Sequence, residues 1–190
     1  LNGARSGVPE NIEIIERIIR ETGLKIEVGG GVRSLETIRR LADAGVSRVV
    51  LGTTLVTDQE FAKAALKEFP DMLTAGIDGE VAVAGWREGA GVPAEELIAE
   101  VGALGFKHLV YTDISRDGMQ TGIDAKRYVE VAKVFGNPVI ASGGVANLLD
   151  IENLAEVASS IEGVIAGRAV YEGSLDVPAA LALCERTHSC

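Results

Sequence analysis

The chain has 190 residues, 47% of them hydrophobic and only 4% aromatic, with a formal net charge of −10. That apolar content suits one compact domain with an aliphatic core, while the acidic balance argues against nucleic-acid binding. No apolar run approaches the about 20 residues of a bilayer span, and no basic segment leads into an apolar stretch as in a signal peptide, so a cytoplasmic protein without membrane contact is expected.

In chain order, short apolar runs alternate with longer amphipathic ones. The opening, from Leu1 through Asn2-Gly3-Ala4-Arg5-Ser6-Gly7, is turn chemistry with no strand ahead of it and reads as a cut start. A helix is expected over residues 10–21, where Ile12, Ile15, Ile18 and Ile19 form one stripe. Residues 25–28 then read as a strand, and residues 35–44 as a helix behind Ser34 as N-cap. Strand 48–51 and helix 59–68, capped by Asp58, come next, then strand 73–77 and helix 94–104. The last third reads as strand 108–111, helix 125–135 behind Asp124, strand 138–141, helix 148–158 behind Asn147, strand 163–166 and helix 177–185. Most strand runs are near-continuously apolar and end in Gly, Asp, Ser or Thr, as in strands buried on both faces.

Strict strand–helix alternation implies right-handed βαβ units and a parallel sheet. A closed (β/α)8 barrel usually takes about 250 residues. Six strands and seven helices, beginning with a helix, fit one α/β domain over residues 1–190 that is a TIM barrel lacking strand 1, helix 1 and most of strand 2. A flavodoxin-like open sheet is the alternative. An internal repeat favours the barrel. Gly30-Gly31-Val32 recurs as Gly143-Gly144-Val145 at an offset of 113, and Leu35 and Ile38 match Leu148 and Ile151 at the same offset. The run from Gly45 to Thr53 resembles that from Ile161 to Arg168 after a two-residue slip, as a two-fold half-barrel repeat would give.

The glycines that close these strands are candidates for anion binding, because they let the backbone approach a ligand and aim N–H groups at it. Gly30 and Gly31, with Arg33 just beyond and Gly52-Thr53 after the next strand, would form one phosphate cradle. Ser142-Gly143-Gly144 with Gly167-Arg168 would form a second. Two cradles imply a bis-phosphorylated small molecule with its reactive centre between them. Asp78 ends a strand where a barrel places catalytic groups, Thr112 ends the next and can bond a substrate hydroxyl, and Asp117 on the following loop can supply a second acid. Asp113 reads as a loop stabiliser. His108, at a strand start, and His188, in the tail, lack triad partners and read as structural or solvated; Trp86 either lines the site or packs. Cys184 and Cys190 have no metal-ligand spacing, and no metal is expected.

Several of these segments are familiar together: Val28-Gly29-Gly30-Gly31-Val32-Arg33-Ser34, Gly85-Trp86, Thr112-Asp113-Ile114-Ser115-Arg116-Asp117-Gly118-Met119, Ala141-Ser142-Gly143-Gly144-Val145, and Gly167-Arg168-Ala169-Val170-Tyr171-Glu172-Gly173. The chain resembles, over essentially its whole length, the ribotide isomerase family of histidine biosynthesis. The related cyclase shares both Gly-Gly strands but carries Thr-Ser-Met-Asp where this chain has Thr112-Asp113-Ile114. The resemblance implies a cofactor-free Amadori rearrangement of an aminoaldose ribotide to its aminoketose; separately, a monomer is expected. The resemblance assigns acid–base roles to Asp78 and Asp117, with Thr112 assisting, and places an opposing carboxylate on the absent first strand. Activity also on phosphoribosyl anthranilate, or an inactive fragment that binds phosphate, are the alternatives.

Overall fold

The computed structural model describes residues 11–79 and 93–188. Trp86, Gly85, the opening loop and Cys190 lie outside the described residues, as does the side chain of His188. The chain divides into two compact units, Leu1–Gly76 with Leu104–Lys107, and Ile77–Ala103 with His108–Cys190. Within each, every recorded strand pairing is parallel, and strands alternate with helices, which makes this an α/β fold. Among the described residues no helix is long and apolar enough to cross a membrane.

The first unit runs α1 (Ile12–Thr22), β1 (Glu27–Gly29), α2 (Leu35–Asp43), β2 (Arg48–Leu51), α3 (Thr54–Thr57), α4 (Gln59–Glu68) and the first four residues of β3 (Leu73–Asp78). The chain leaves α1 through Gly23 in the left-handed region, at φ 67°. Ser34 accepts the Thr37 N–H at 3.2 Å and Asp58 that of Phe61 at 3.0 Å, so both expected caps satisfy helix-end donors. The expected stripe of α1 is only partly covered, with Ile18 39% exposed and Ile14, off the stripe, 59% exposed. Val49 and Leu51 of β2 are buried together with Ile38 and Leu41 of α2 and Ala62 and Ala65 of α4, the aliphatic core the composition demands. On the opposite strand face, a Cβ on Gly29 would lie 3.0 Å from Val50 Cβ and one on Gly76 2.7 Å from Val50 Cγ1. These two glycines make room for one valine.

The second unit holds the end of β3, then α5 (Ala94–Leu104, up to Ala103), β4 (His108–Thr112), α6 (Ala125–Phe135), β5 (Val139–Ser142) and α7 (Leu148–Ala155). A single 3-10 turn (Ala158–Ser160) leads into β6 (Ile161–Ile165), followed by α8 (Arg168–Tyr171) and α9 (Val177–His188). All four residues of β5 are buried, as a strand flanked on both sides requires. Val139 pairs with Ile161 but Ile140 with Gly163, so Glu162 is an extra residue in the ladder. This irregularity starts β6 two residues before the expected 163 and ends it one before 166. Helix α7 likewise stops at Ala155 rather than 158. Beyond β5 and β6, a cluster of Val145, Ile151, Ala169 and Leu175 ties α7, α8 and α9 together.

Candidate active site

The carboxylate and hydroxyl candidates of the second unit lie at or just beyond the C-terminal ends of its strands. Asp78 is the last residue of β3 and exposed. Its neighbour Gly79 donates its N–H to the Thr112 carbonyl at 2.8 Å, which draws the chain after Asp78 onto the end of β4. A Cβ at Gly79 would lie 2.3 Å from Tyr111 Oη, so glycine is what lets the two strand ends meet. Tyr111 is itself fixed. Arg127 of α6 donates to its hydroxyl at 3.1 Å and stacks 5.5 Å from its ring centre, and Tyr128 meets the ring edge-on at 5.9 Å. The Tyr111 bond is the first cause of the raised pKa of the Arg127 guanidinium.

Thr112, half-buried, closes β4, and the loop from Asp113 to Asp124 follows. Asp113 spends one oxygen on Ser115, from N at 3.1 Å and from Oγ at 2.6 Å, and faces Arg116 Nε with the other at 3.4 Å. It organises the loop, whereas Asp117 is exposed beyond it.

The loop rests on the glycines that end β5. Gly143 and Gly144 have φ of 99° and 89°. A Cβ on Gly143 would sit 2.5 Å from the Asp113 carbonyl, and one on Gly144 2.5 Å from that of Gly122. Both glycines are therefore forced by conformation and by close approach. Ser142 is buried, and its carbonyl accepts the Asp113 N–H at 2.9 Å and the Tyr128 hydroxyl at 2.6 Å. After β6, Gly167 opens α8. The Arg168 guanidinium donates to the Gly118 carbonyl at 2.7 Å and pairs with Glu172 at 2.5 Å. Besides Glu172, at the end of its own short helix, its contact is to the loop that carries Asp117. At the other end of β4, His108 Nδ1 lies 2.9 Å from Glu162, far along the strand from Thr112.

Two contributors escaped sequence reasoning. Tyr128 is fully enclosed beneath the ends of β4 and β5, where α6 periodicity marks it only as core. Asp150 is buried at 5% exposure and accepts three backbone N–H groups, from Ile123 at 3.0 Å, Ala146 at 2.8 Å and Asn147 at 3.2 Å. The Asn147-x-x-Asp150 spacing of a capping box was its visible signal.

In the first unit, Gly30 and Gly31 follow β1 with φ of 96° and 77°, and Gly31 leads through the buried Val32 and exposed Arg33 to the Ser34 cap. Gly52 and Thr53 follow β2 and lead into the four-residue α3, as Gly167 after β6 leads into α8, which Arg168 begins. The repeat seen in the sequence is thus a repeat of local structure: a left-handed Gly-Gly turn after one strand, and a Gly-led short helix after the next.

Fold and site define an α/β protein of parallel strand–helix units in which, within each unit, the candidate polar groups and glycines lie at or beyond the carboxyl ends of the strands. The chain belongs to the histidine biosynthesis protein family, whose profile matches residues 1–176. A relative from Burkholderia lata is 47% identical over 186 residues, covering 95% of this chain and 74% of the relative. Relatives from Burkholderia thailandensis and Burkholderia vietnamiensis are 46% identical with the same coverage. All three are named as isomerases of a 1-(5-phosphoribosyl) imidazole-4-carboxamide that carries a 5-phosphoribosylamino group.

Proposed function

We infer that this chain is an aldose–ketose isomerase of histidine biosynthesis, acting by Amadori rearrangement on the doubly phosphoribosylated carboxamide for which its relatives are named. The observation that carries the reading is 47% identity over 186 residues to such an isomerase. The strand-end carboxylate Asp78 and the loop carboxylate Asp117 are both held in one compact unit, which suits the chemistry.

An Amadori rearrangement needs no oxidant. An acid protonates the ribose ring oxygen, the C1–O bond breaks, and C1 and its nitrogen form a Schiff base. A base removes the C2 proton to give an enolamine. Reprotonation at C1 and loss of the hydroxyl proton leave a ketone at C2. One acid and one base suffice, each within hydrogen-bond reach of the proton it moves. We assign these duties to Asp78 and Asp117, with Thr112 holding a sugar hydroxyl.

One phosphate goes to Ser142, Gly143, Gly144, Gly167 and Arg168, the other to Gly30, Gly31, Arg33, Gly52 and Thr53. The left-handed glycine turns after β1 and β5 support this assignment, since such turns present main-chain N–H groups to anions. The same reading takes the chain as a monomeric, cytoplasmic (β/α)8-barrel domain that needs no cofactor.

Steady-state kinetics of Asp78→Asn and Asp117→Asn test it. Each variant is expected to lose about 10²-fold or more in kcat, the usual worth of a positioned acid or base. Asp78→Asn with unchanged kcat would remove Asp78 from the mechanism.

A further inference from the structure

We infer that Asp150 is a positioning residue for the reaction: its buried carboxylate fastens the loop bearing Asp117 to the glycine turn after β5. The inference rests on the reading above, in which that loop and that turn belong to the active site.

The loop from Asp113 to Asp124 is held at both ends. At its start, Asp113 N–H bonds the Ser142 carbonyl at 2.9 Å. At its end, Gly122 N–H bonds the Gly144 carbonyl at 3.1 Å, and the next N–H, of Ile123, goes to Asp150 Oδ1 at 3.0 Å. The other oxygen, Oδ2, takes the N–H groups of Ala146 and Asn147, which follow directly on Gly144-Val145. One carboxylate therefore bridges two chain segments, one closing the Asp117 loop and one leaving the glycine turn. Capping of α7 alone does not demand this. A capping box needs the residue to reach back to its own N-cap, here Asn147. The bond to Ile123, 27 residues away, has no part in it.

The internal repeat sharpens the point. At the offset of 113 that superposes the two Gly-Gly turns, Asp150 falls on Thr37. Thr37 serves its cap Ser34 through its own N–H and hydroxyl, at 3.2 and 3.1 Å. The half carrying the Asp117 loop has a buried carboxylate where the other half has a hydroxyl. Its charge is balanced by three N–H donors, which makes the bonds stronger than those of a neutral acceptor.

The test uses the full chain and three variants. Asp150→Asn keeps the shape but offers one acceptor oxygen in place of two. Asn147→Ala removes the N-cap side chain of α7 and leaves the bridge to Ile123. Asp117→Asn reports on the loop itself. Trypsin cleavage after Arg116, within the loop, is followed against cleavage after Arg39 in α2 as an internal reference. We expect Asp150→Asn to speed cleavage after Arg116 about tenfold relative to Arg39 and to lower kcat about tenfold or more with a smaller change in KM. A misplacement of about 1 Å is enough to cost about 10²-fold. Asn147→Ala should do neither. Equal behaviour of Asp150→Asn and Asn147→Ala would reduce Asp150 to a helix cap and overturn the inference, as would faster cleavage without loss of kcat. Asp117→Asn separates the two possible failures. If it is as active as the parent, the loop lies outside the machinery; if it is inactive beside a fully active Asp150→Asn, only the role of Asp150 falls.

Discussion

Tyr128 shows how a single enclosed side chain links the core to the site. Its hydroxyl donates to the Ser142 carbonyl at 2.6 Å, and its ring is fully buried against Tyr111. Burial, then the Asp113 carboxylate and Tyr111, push the phenol above its ordinary value of 10.0. Above about pH 10 the unfolded chain releases this proton while the folded protein retains it, so rising pH favours unfolding. The stability is fully present below pH 10 and is lost as pH climbs toward the folded value. Tyr128→Phe should cost about 1 kcal/mol at pH 8, because one neutral hydrogen bond goes while the Ser142 carbonyl keeps the Asp113 N–H. Above pH 10 the variant should lose stability less steeply than the parent, by up to about 1.4 kcal/mol per pH unit. Urea unfolding from pH 8 to 11 reads both effects, and parallel slopes would refute the assignment. None of this was legible in the sequence, where Tyr128 is one more apolar position of a helix. The positions of Asp78, closing a strand, and of Asp117, on the loop after the next strand, were legible from the alternation of apolar runs and loops. Arg168 was legible as a charge but not in its direction. Its bond to the Gly118 carbonyl depends on a loop 50 residues away.

Elements were most readable where an apolar stripe runs for several turns. Helices α4, α5 and α6 begin and end at the expected residues, 59–68, 94–104 and 125–135. The four-residue α3 and α8 could not be read, since one turn shows no periodicity, and the early start of β6 follows from pairing around Glu162 that no local pattern reveals. Caps give a direct check. Asp58 bonds the Phe61 N–H, whereas Asp124, an equally plausible cap in sequence, makes no capping bond. Asp58→Ala should therefore cost about 1 kcal/mol and Asp124→Ala only a few tenths, measured by denaturant midpoint. Equal losses would contradict the geometry. Gly102 in α5 sets two effects against each other. Alanine is better than glycine inside a helix by about 1 kcal/mol. Its Cβ, though, would lie 2.4 Å from the Phe135 carbonyl oxygen, a main-chain atom at the end of α6. Overpacking against backbone costs about 1–3 kcal/mol, so the clash should win. Gly102→Ala is expected to lower Tm, and a raised Tm would show that α6 can give way.

At the scale of the whole molecule, the proposed function asks an acidic protein to handle an acidic substrate. The chain carries 28 acidic against 18 basic side chains, so at long range its field repels a molecule with two phosphates. In the proposed assignment of the phosphates to the left-handed glycine turns, distance resolves this conflict: main-chain dipoles act at contact, where added salt screens little, while the net charge acts over the Debye length of about 10 Å at 0.1 M salt. Repulsion should therefore weaken with salt faster than binding does. Raising NaCl from about 10 to about 100 mM at fixed pH should hold kcat/KM level or raise it a few-fold, because screening of the field speeds encounter. A protein that gripped its phosphates chiefly through free lysines and arginines would behave in the opposite sense, losing affinity steeply as counterions compete. A tenfold fall in kcat/KM over that range would mean that exposed cations such as Arg33 and Arg168, rather than the turns after β1 and β5, dominate recognition of the phosphates.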